Sequence, residues 1–143
     1  MNNNNGAPTI LIVDDEEDIR SVLSARLETA GFHVSTAGTG MEALNHIRAT
    51  APDLMILDIM LPGIDGMAVC GMVKHDQRFS RIPVVMMTAR SQPQVQRRSM
   101  KLGADAYINK PFKAEDLIET VRNLLKGTSS DSAPATGTVP ETA

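Results

Sequence analysis

Short apolar runs that alternate with helical patterns constrain the fold of this chain more than any other feature. Residues 10–13 (ILIV), 54–57 (LMIL) and 84–87 (VVMM) are continuous apolar runs without polar alternation. Such runs are typical of strands that are buried on both faces, as in a parallel sheet covered by helices. Weaker strand patterns lie at residues 32–37 and 106–108. The sequence therefore predicts five strands.

Helical patterns fill the gaps between these strands. Apolar residues at helical spacing predict a first helix from Asp18, with Gly31 just past its end. Thr39 and Glu42 have the spacing of a capping box and open a second helix. Three more helices are predicted over residues 67–75, over residues 94–102, and around Leu117, Val121, Leu124 and Leu125. The alternation predicts an α/β fold, a doubly wound five-stranded parallel sheet with helices on both faces.

One domain accounts for most of the 143 residues. We predict that this domain spans residues 8–126. Residues 127–143 are mainly Ser, Thr, Ala, Pro and Gly and carry too little apolar surface to offset their ordering entropy, so they are predicted to be a flexible tail. The polar residues 1–7 are predicted to be a flexible N-terminus.

Composition argues against several classes of protein. The net charge of −3 has the wrong sign for a domain that binds nucleic acid mainly through phosphates, so no direct nucleic-acid binding is expected. Cys70 is the single cysteine, which excludes an internal disulfide and fits a reducing compartment. The first residues lack the apolar core of a signal peptide, and no apolar run approaches the roughly 20 residues of a membrane span. These observations predict a soluble cytoplasmic protein.

Polar residues follow the predicted strands at the point where each strand ends. Asp14 and Asp15 follow the first strand, and Asp58 follows the third along the chain. Thr88 follows the fourth strand, and Lys110 lies just beyond the last. Ligand crevices in open α/β sheets lie outside the carboxyl ends of the strands. We therefore expect these five side chains to converge.

Three carboxylates in one crevice repel one another and need a cation. Hard oxygen ligands without a nearby Cys or His favour Mg²⁺, or Mn²⁺, over zinc. Lys110 would add a second positive charge, and Thr88 would add a hydroxyl donor. A carboxylate nucleophile, a divalent metal, a lysine and a hydroxyl are the groups needed to hold a phosphoryl group during its transfer.

Five blocks of this sequence resemble the receiver domain of bacterial response regulators, the family of the chemotaxis protein CheY. The likeness covers roughly residues 8–126. It implies a CheY-like, flavodoxin-like sheet with the strand order 2-1-3-4-5. The blocks are residues 12–16 (IVDDE), 57–66 (LDIMLPGIDG), 87–89 (MTA), 103–107 (GADAY) and 110–112 (KPF).

The resemblance implies a role for each matching acidic residue. Asp58 would be the phosphoacceptor. Asp15 and Asp58 would bind Mg²⁺ through their carboxylates, and Asp14 would bind it mostly through water. The backbone carbonyl of Met60 would complete the ligands that the protein supplies.

The resemblance also implies how phosphorylation would be sensed. Lys110, in a cis peptide with Pro111, would pair with the phosphoryl group. Thr88 and the amide of Ala89 would donate hydrogen bonds to it. Thr88 would then move toward the phosphate and Tyr107 would rotate inward behind it, which would reshape the face formed by the fourth helix, fifth strand and fifth helix.

The partners that the family implies are a sensor histidine kinase or a histidine phosphotransfer protein as donor, and a downstream protein effector at that face. On this hypothesis the protein is a signalling switch and not an enzyme that acts on external substrates. Two alternatives remain open at this stage: the receiver portion of a longer regulator, and a metal-dependent phosphohydrolase. Met60 argues against the phosphohydrolase, because such enzymes usually carry a second acid two residues after the nucleophile.

Overall fold

The computed structural model describes residues 6–89 and 93–129, which form five strands and five helices in alternation. Each strand begins and ends within one residue of its predicted bounds. The strands are β1 (Thr9–Val13), β2 (His33–Ala37), β3 (Leu54–Asp58), β4 (Val84–Thr88) and β5 (Ala106–Asn109). The helices are α1 (Glu17–Thr29), α2 (Gly40–Ala49), α3 (Gly66–His75), α4 (Pro93–Lys101) and α5 (Ala114–Ser129).

The strands form one parallel sheet in the order β2-β1-β3-β4-β5, which confirms the predicted fold class and strand order. In the register of this sheet Val13 lies beside Leu57, and Asp58 lies beside Met87. The ends of β1, β3 and β4 therefore lie side by side along one edge. We call this edge, where the strands end, the carboxyl edge, and the opposite one the amino edge.

Two separate apolar cores explain why the central strands show no polar alternation. Successive strand residues point to opposite faces of a sheet. Leu11 and Val13 pack on one face with residues of α2 and α3, whereas Ile10 and Ile12 pack on the other with residues of α1 and α5. Because helices cover both faces, every position of these strands must be apolar.

Side-chain caps fix the starts of two helices. The Thr39 hydroxyl accepts a hydrogen bond from the Glu42 amide at 3.1 Å, as the capping-box spacing predicted. The Asp65 carboxylate accepts one from the Ala68 amide at 2.9 Å and so caps α3. A helix cap of this kind contributes about 1 kcal/mol. Asp65 therefore has a structural role in the turn that follows β3.

Helix α5 continues to Ser129, three residues beyond the predicted end of the domain at Lys126. Glycine in a helix costs only about 1 kcal/mol relative to alanine, so Gly127 does not end it. Most of the predicted tail (residues 130–143) and most of the predicted N-terminal segment (residues 1–5) lie outside the described residues. Within the described part of the chain, no helix combines the length and the apolar character that crossing a membrane requires.

Candidate functional site

Three carboxylates meet at the carboxyl edge of the sheet. Asp14 follows β1 directly, and Asp58 is the last residue of β3. Asp14 is fully buried and Asp58 is 4% exposed, whereas Asp15 is exposed. One carboxylate oxygen from each of the three lies within 4.8 Å of the others. The predicted convergence of the aspartates is confirmed.

Lys110, which directly follows β5, completes this cluster. Its Nζ donates to Asp14 Oδ2 at 2.9 Å and to Asp58 Oδ2 at 3.2 Å. Its backbone amide donates to the Thr88 carbonyl at 2.8 Å, so the lysine is anchored to the end of β4. The peptide bond between Lys110 and Pro111 is cis, as the family resemblance implied. One ammonium group therefore joins two aspartates that are 44 positions apart in sequence.

The loop after β3 positions the Asp58 carboxylate. The Met60 amide donates to Asp58 Oδ1 at 3.0 Å. The loop then folds back so closely that a Cβ atom at Gly66 would overlap the Asp58 carbonyl oxygen. Glycine is required at this close approach, and the sequence block that carries the resemblance ends on it. The Met60 side chain is half-exposed beside the cluster.

Asp14 is held by hydrogen bonds to both its side chain and its backbone. The Glu16 amide donates to Asp14 Oδ1 at 2.9 Å. The Asp14 amide donates to the Ala37 carbonyl at 3.1 Å, and Arg20 Nη1 donates to the Asp14 carbonyl at 2.7 Å. Sequence reasoning missed Arg20. Its signal was its place near the start of α1, because helical side chains lean toward the N-terminus and so toward the end of β1.

Thr88 and Tyr107 lie on the neighbouring strands β4 and β5, and Ala89 directly follows β4. Thr88 ends β4 and is fully buried, and Ala89 follows it and is exposed. Tyr107 lies on β5 beside Met86 of β4 and packs against the core that α2 and α3 cover. Burial raises the pKa of Tyr107. The structure thus places Thr88 and Ala89 at the carboxyl edge and Tyr107 within β5, while their roles stay predictions.

The electrostatics of the cluster are unbalanced. Three carboxylates against one ammonium give a charge of −3 + 1 = −2. Burial raises the pKa of Asp58, against the lowering effect of the Met60 amide and of Lys110. Burial works to lower the pKa of Lys110, but its hydrogen bonds and charge contacts with Asp14 and Asp58 outweigh burial and raise it. The crevice therefore favours a further positive charge.

The donor atoms of this cluster fit a hard divalent cation. All three groups offer carboxylate oxygens, and the cluster contains no His or Cys. Mg²⁺ and Mn²⁺ prefer such ligands, and Mg²⁺ retains several waters when few protein groups bind it. Asp14, Asp15 and Asp58 would hold the ion. The Met60 carbonyl lies in the loop directly after Asp58, and its role as a ligand stays a prediction.

The fold and this cluster define a class of signalling protein. The chain matches the response regulator receiver domain family over residues 10–122, which is more than half of its length. The chain therefore belongs to this family, and the resemblance is confirmed.

Two curated relatives and one solved structure show in more detail what this chain is similar to. RpaA of Synechocystis sp., described as a DNA-binding dual master transcriptional regulator, is 41% identical over 121 residues, which are 85% of this chain and 50% of RpaA. PhoB of Rhizobium meliloti, a phosphate regulon transcriptional regulatory protein, is 38% identical over 119 residues, 83% of this chain and 52% of PhoB. The CheY-like receiver domain protein of Methanospirillum hungatei superposes with a TM-score of 0.83 at 29% identity, covering 89% of this chain and 100% of that one. The chain spans about half the length of these two curated relatives.

Proposed function

We propose that this chain is the phosphoacceptor switch of a two-component phosphorelay, and that Asp58 receives the phosphoryl group in a reaction that depends on Mg²⁺. The observation that carries the proposal is the cluster itself: three carboxylates within 4.8 Å, two of them bridged by Lys110. A solely structural ion pair would not leave a net charge of −2 in a crevice. A site that must hold a divalent cation would.

The residues divide the work of the transfer. An oxygen of Asp58 attacks the phosphorus, and the bond between phosphorus and the donor histidine nitrogen breaks, so that the histidine keeps the electron pair and takes up a proton. Lys110, released from its contacts with Asp14 and Asp58, neutralises the phosphoryl oxygens. The Thr88 hydroxyl and the Ala89 amide would donate to the same oxygens. When bound, Mg²⁺ supplies the charge that lets anionic oxygens approach the carboxylates.

Incubation with acetyl phosphate and Mg²⁺ tests this assignment. We expect the intact mass of the wild-type chain to rise by one phosphoryl group, and Asp58→Ala to abolish that rise. The matched control is Asp18→Ala, because Asp18 is an exposed acid in the first turn of α1. Phosphoryl incorporation that survives Asp58→Ala, or that is equally fast after Mg²⁺ is removed with a chelator, would overturn the proposal.

Family membership supports a proposal for the phosphoryl donor and for the downstream partner. Receiver domains pair with histidine kinases, so we propose a sensor histidine kinase or a histidine phosphotransfer protein as donor. The output would be altered binding of a protein at the face of α4, β5 and α5, where Tyr107 lies. On this proposal the protein is a cytoplasmic switch and not an enzyme for external substrates.

A second candidate is favoured by a specific observation, namely that RpaA and PhoB are about twice as long as their match to this chain. This chain would then be the receiver portion of a longer regulator. RpaA is described as DNA-binding, so the expectation of no direct nucleic-acid binding stays a prediction for the chain in hand. The length of the intact gene product would decide between the two.

A further inference from the structure

The end of β1 presents a carbonyl group that the sheet does not satisfy. Strand β2 ends at Ala37, which accepts the last hydrogen bond between the two strands from the Asp14 amide at 3.1 Å. Beyond it the chain turns away into α2. Among the described residues, no backbone amide donates to the Asp14 carbonyl. Arg20 Nη1 supplies that donor at 2.7 Å.

The guanidinium of Arg20 lies in a closely fitted position. A Cβ atom at Gly38 would lie 3.2 Å from Arg20 Nη1 and 3.7 Å from its Cζ, so the turn after β2 leaves little spare room. That turn is itself held, because Glu42 Oε1 accepts from the Gly38 amide at 2.7 Å. Arg20 is half-buried between the turn and the end of β1. Its guanidinium therefore donates to the Asp14 carbonyl from a position that the turn confines.

We propose that Arg20 is a positioning residue of the metal site. The Asp14 carbonyl belongs to the peptide unit that links Asp14 to Asp15, so a contact that fixes this peptide constrains the backbone from which both side chains project. By fixing the carbonyl, Arg20 keeps both carboxylates aimed at the cation. The inference rests on the proposed function, because it assigns Arg20 to the same Mg²⁺ site.

The direction in which Mg²⁺ affinity changes on removal of Arg20 distinguishes a positioning role from a purely electrostatic one. A guanidinium cation close to an acidic crevice repels Mg²⁺. If Arg20 acted only through its charge, its removal would therefore tighten Mg²⁺ binding. If Arg20 positions the aspartates, its removal weakens binding in spite of the lost repulsion. Loss of a hydrogen-bond partner behind the ligands of a metal typically lowers affinity by about 10- to 100-fold.

Isothermal titration of the full chain with Mg²⁺, without any phosphoryl donor, measures this directly. We expect Arg20→Met to weaken Mg²⁺ binding about 10-fold and Arg20→Lys, which keeps a charged donor, to recover part of the loss. The control is Arg26→Met, since Arg26 is an exposed cation in the last turn of the same helix. Arg26→Met should bind Mg²⁺ as the wild type does. A thermal melt of each variant without metal establishes that it is folded.

Each outcome bears on one claim or on both. Unchanged or tighter Mg²⁺ binding by folded Arg20→Met overturns the positioning role and leaves the proposed function standing. Failure of the wild type to bind Mg²⁺ overturns the metal site and the positioning role together. Arg20→Leu, which likewise removes both the charge and the donor, carries the same test with the same signs if Arg20→Met does not fold.

Discussion

Two half-buried lysines lie at opposite edges of the same sheet, and their surroundings differ. Lys110 at the carboxyl edge is paired with two carboxylates, those of Asp14 and Asp58. Lys74 at the amino edge is paired with one, that of Asp105, at 2.8 Å. The two side chains are similarly enclosed, at 16% and 12% exposure.

The cluster around Lys74 is balanced and complete. Its ammonium also donates to the Ile82 carbonyl at 2.7 Å and to the Ser80 carbonyl at 3.2 Å, so all three of its hydrogens have acceptors. Asp105 Oδ2 in turn accepts from the Val84 amide at 2.8 Å. One positive charge meets one negative charge. This cluster ties α3 to the starts of β4 and β5 and leaves nothing for a ligand to supply.

The difference teaches that charge imbalance, not burial of a lysine, marks the functional site. Around Lys110 two buried carboxylates and a third exposed one exceed the single ammonium. On the proposed function, a cation and a phosphoryl group would bind in this unbalanced cluster. Replacing each lysine by methionine, which keeps most of its length, should therefore have different consequences.

The largest contrast is expected in phosphoryl transfer. Lys110→Met should slow phosphorylation by acetyl phosphate about 100-fold or more, because it removes a preorganised cation from the reacting group. Lys74→Met should leave the initial rate close to that of the wild type, since Lys74 lies at the other edge. A time course of intact mass at fixed Mg²⁺ measures both. Similar losses in the two variants would remove the distinction between the clusters.

Stability should separate the two variants by their response to Mg²⁺, because both lose an ion-paired ammonium. Lys74→Met leaves a carboxylate and two carbonyls without their shared donor and should lower the free energy of unfolding by about 2 to 3 kcal/mol, as for hydrogen bonds to charged groups. Saturating Mg²⁺ should restore the stability of Lys110→Met but not that of Lys74→Met, because only the former has a cation site beside the lost charge. Urea unfolding with and without Mg²⁺ measures this. Restoration of both variants, or of neither, would contradict it.

A smaller effect is expected from the pH dependence of Asp58. Burial raises the folded-state pKa of Asp58, so its ionised form opposes folding in the metal-free protein. The stability of the wild type relative to Asp58→Asn should therefore be lowest at neutral pH and should rise as the pH falls through the raised folded-state pKa toward the ordinary value. Urea midpoints in the presence of a chelator give this difference. A stability of the wild type relative to Asp58→Asn that stays constant, or that falls as the pH is lowered, would contradict the prediction.

The smallest effect concerns Cys70, next to the balanced cluster. Burial raises the pKa of the Cys70 thiol to about 11, while Lys74 acts to lower it and Asp105 to raise it. Because the thiolate is the reactive form, native protein at pH 8 should resist iodoacetamide, and urea-unfolded protein should react. Lys74→Asp would reverse the charge beside Asp105 and so break the charge balance of this cluster. Arg78→Met, at an exposed position, is the control. Rapid labelling of native wild type would show that this core is open.

The strands and the residues at their ends could be predicted because both are local features. Four apolar residues followed by an acid specify a buried strand and the edge at which it ends. The edge strands were harder to recognise, since β2 and β5 are only partly buried and carry mixed patterns. Helix α5 continues three residues past Lys126, so the change of composition there does not mark the end of the helix.

The sequence by itself determined the order of the elements, the parallel sheet and the edge where Asp14, Asp15, Asp58 and Lys110 meet. Only the tertiary structure decided how those groups are held. The contact of Lys110 with Asp14 spans 96 positions, and that of Lys74 with Asp105 spans 31. Arg20 reaches the Asp14 carbonyl because β2 ends where it does and leaves that carbonyl unpaired. Hydrophobic periodicity depends on residues that are neighbours in sequence. The charge balance of a site depends on groups that the fold brings together from distant parts of the chain.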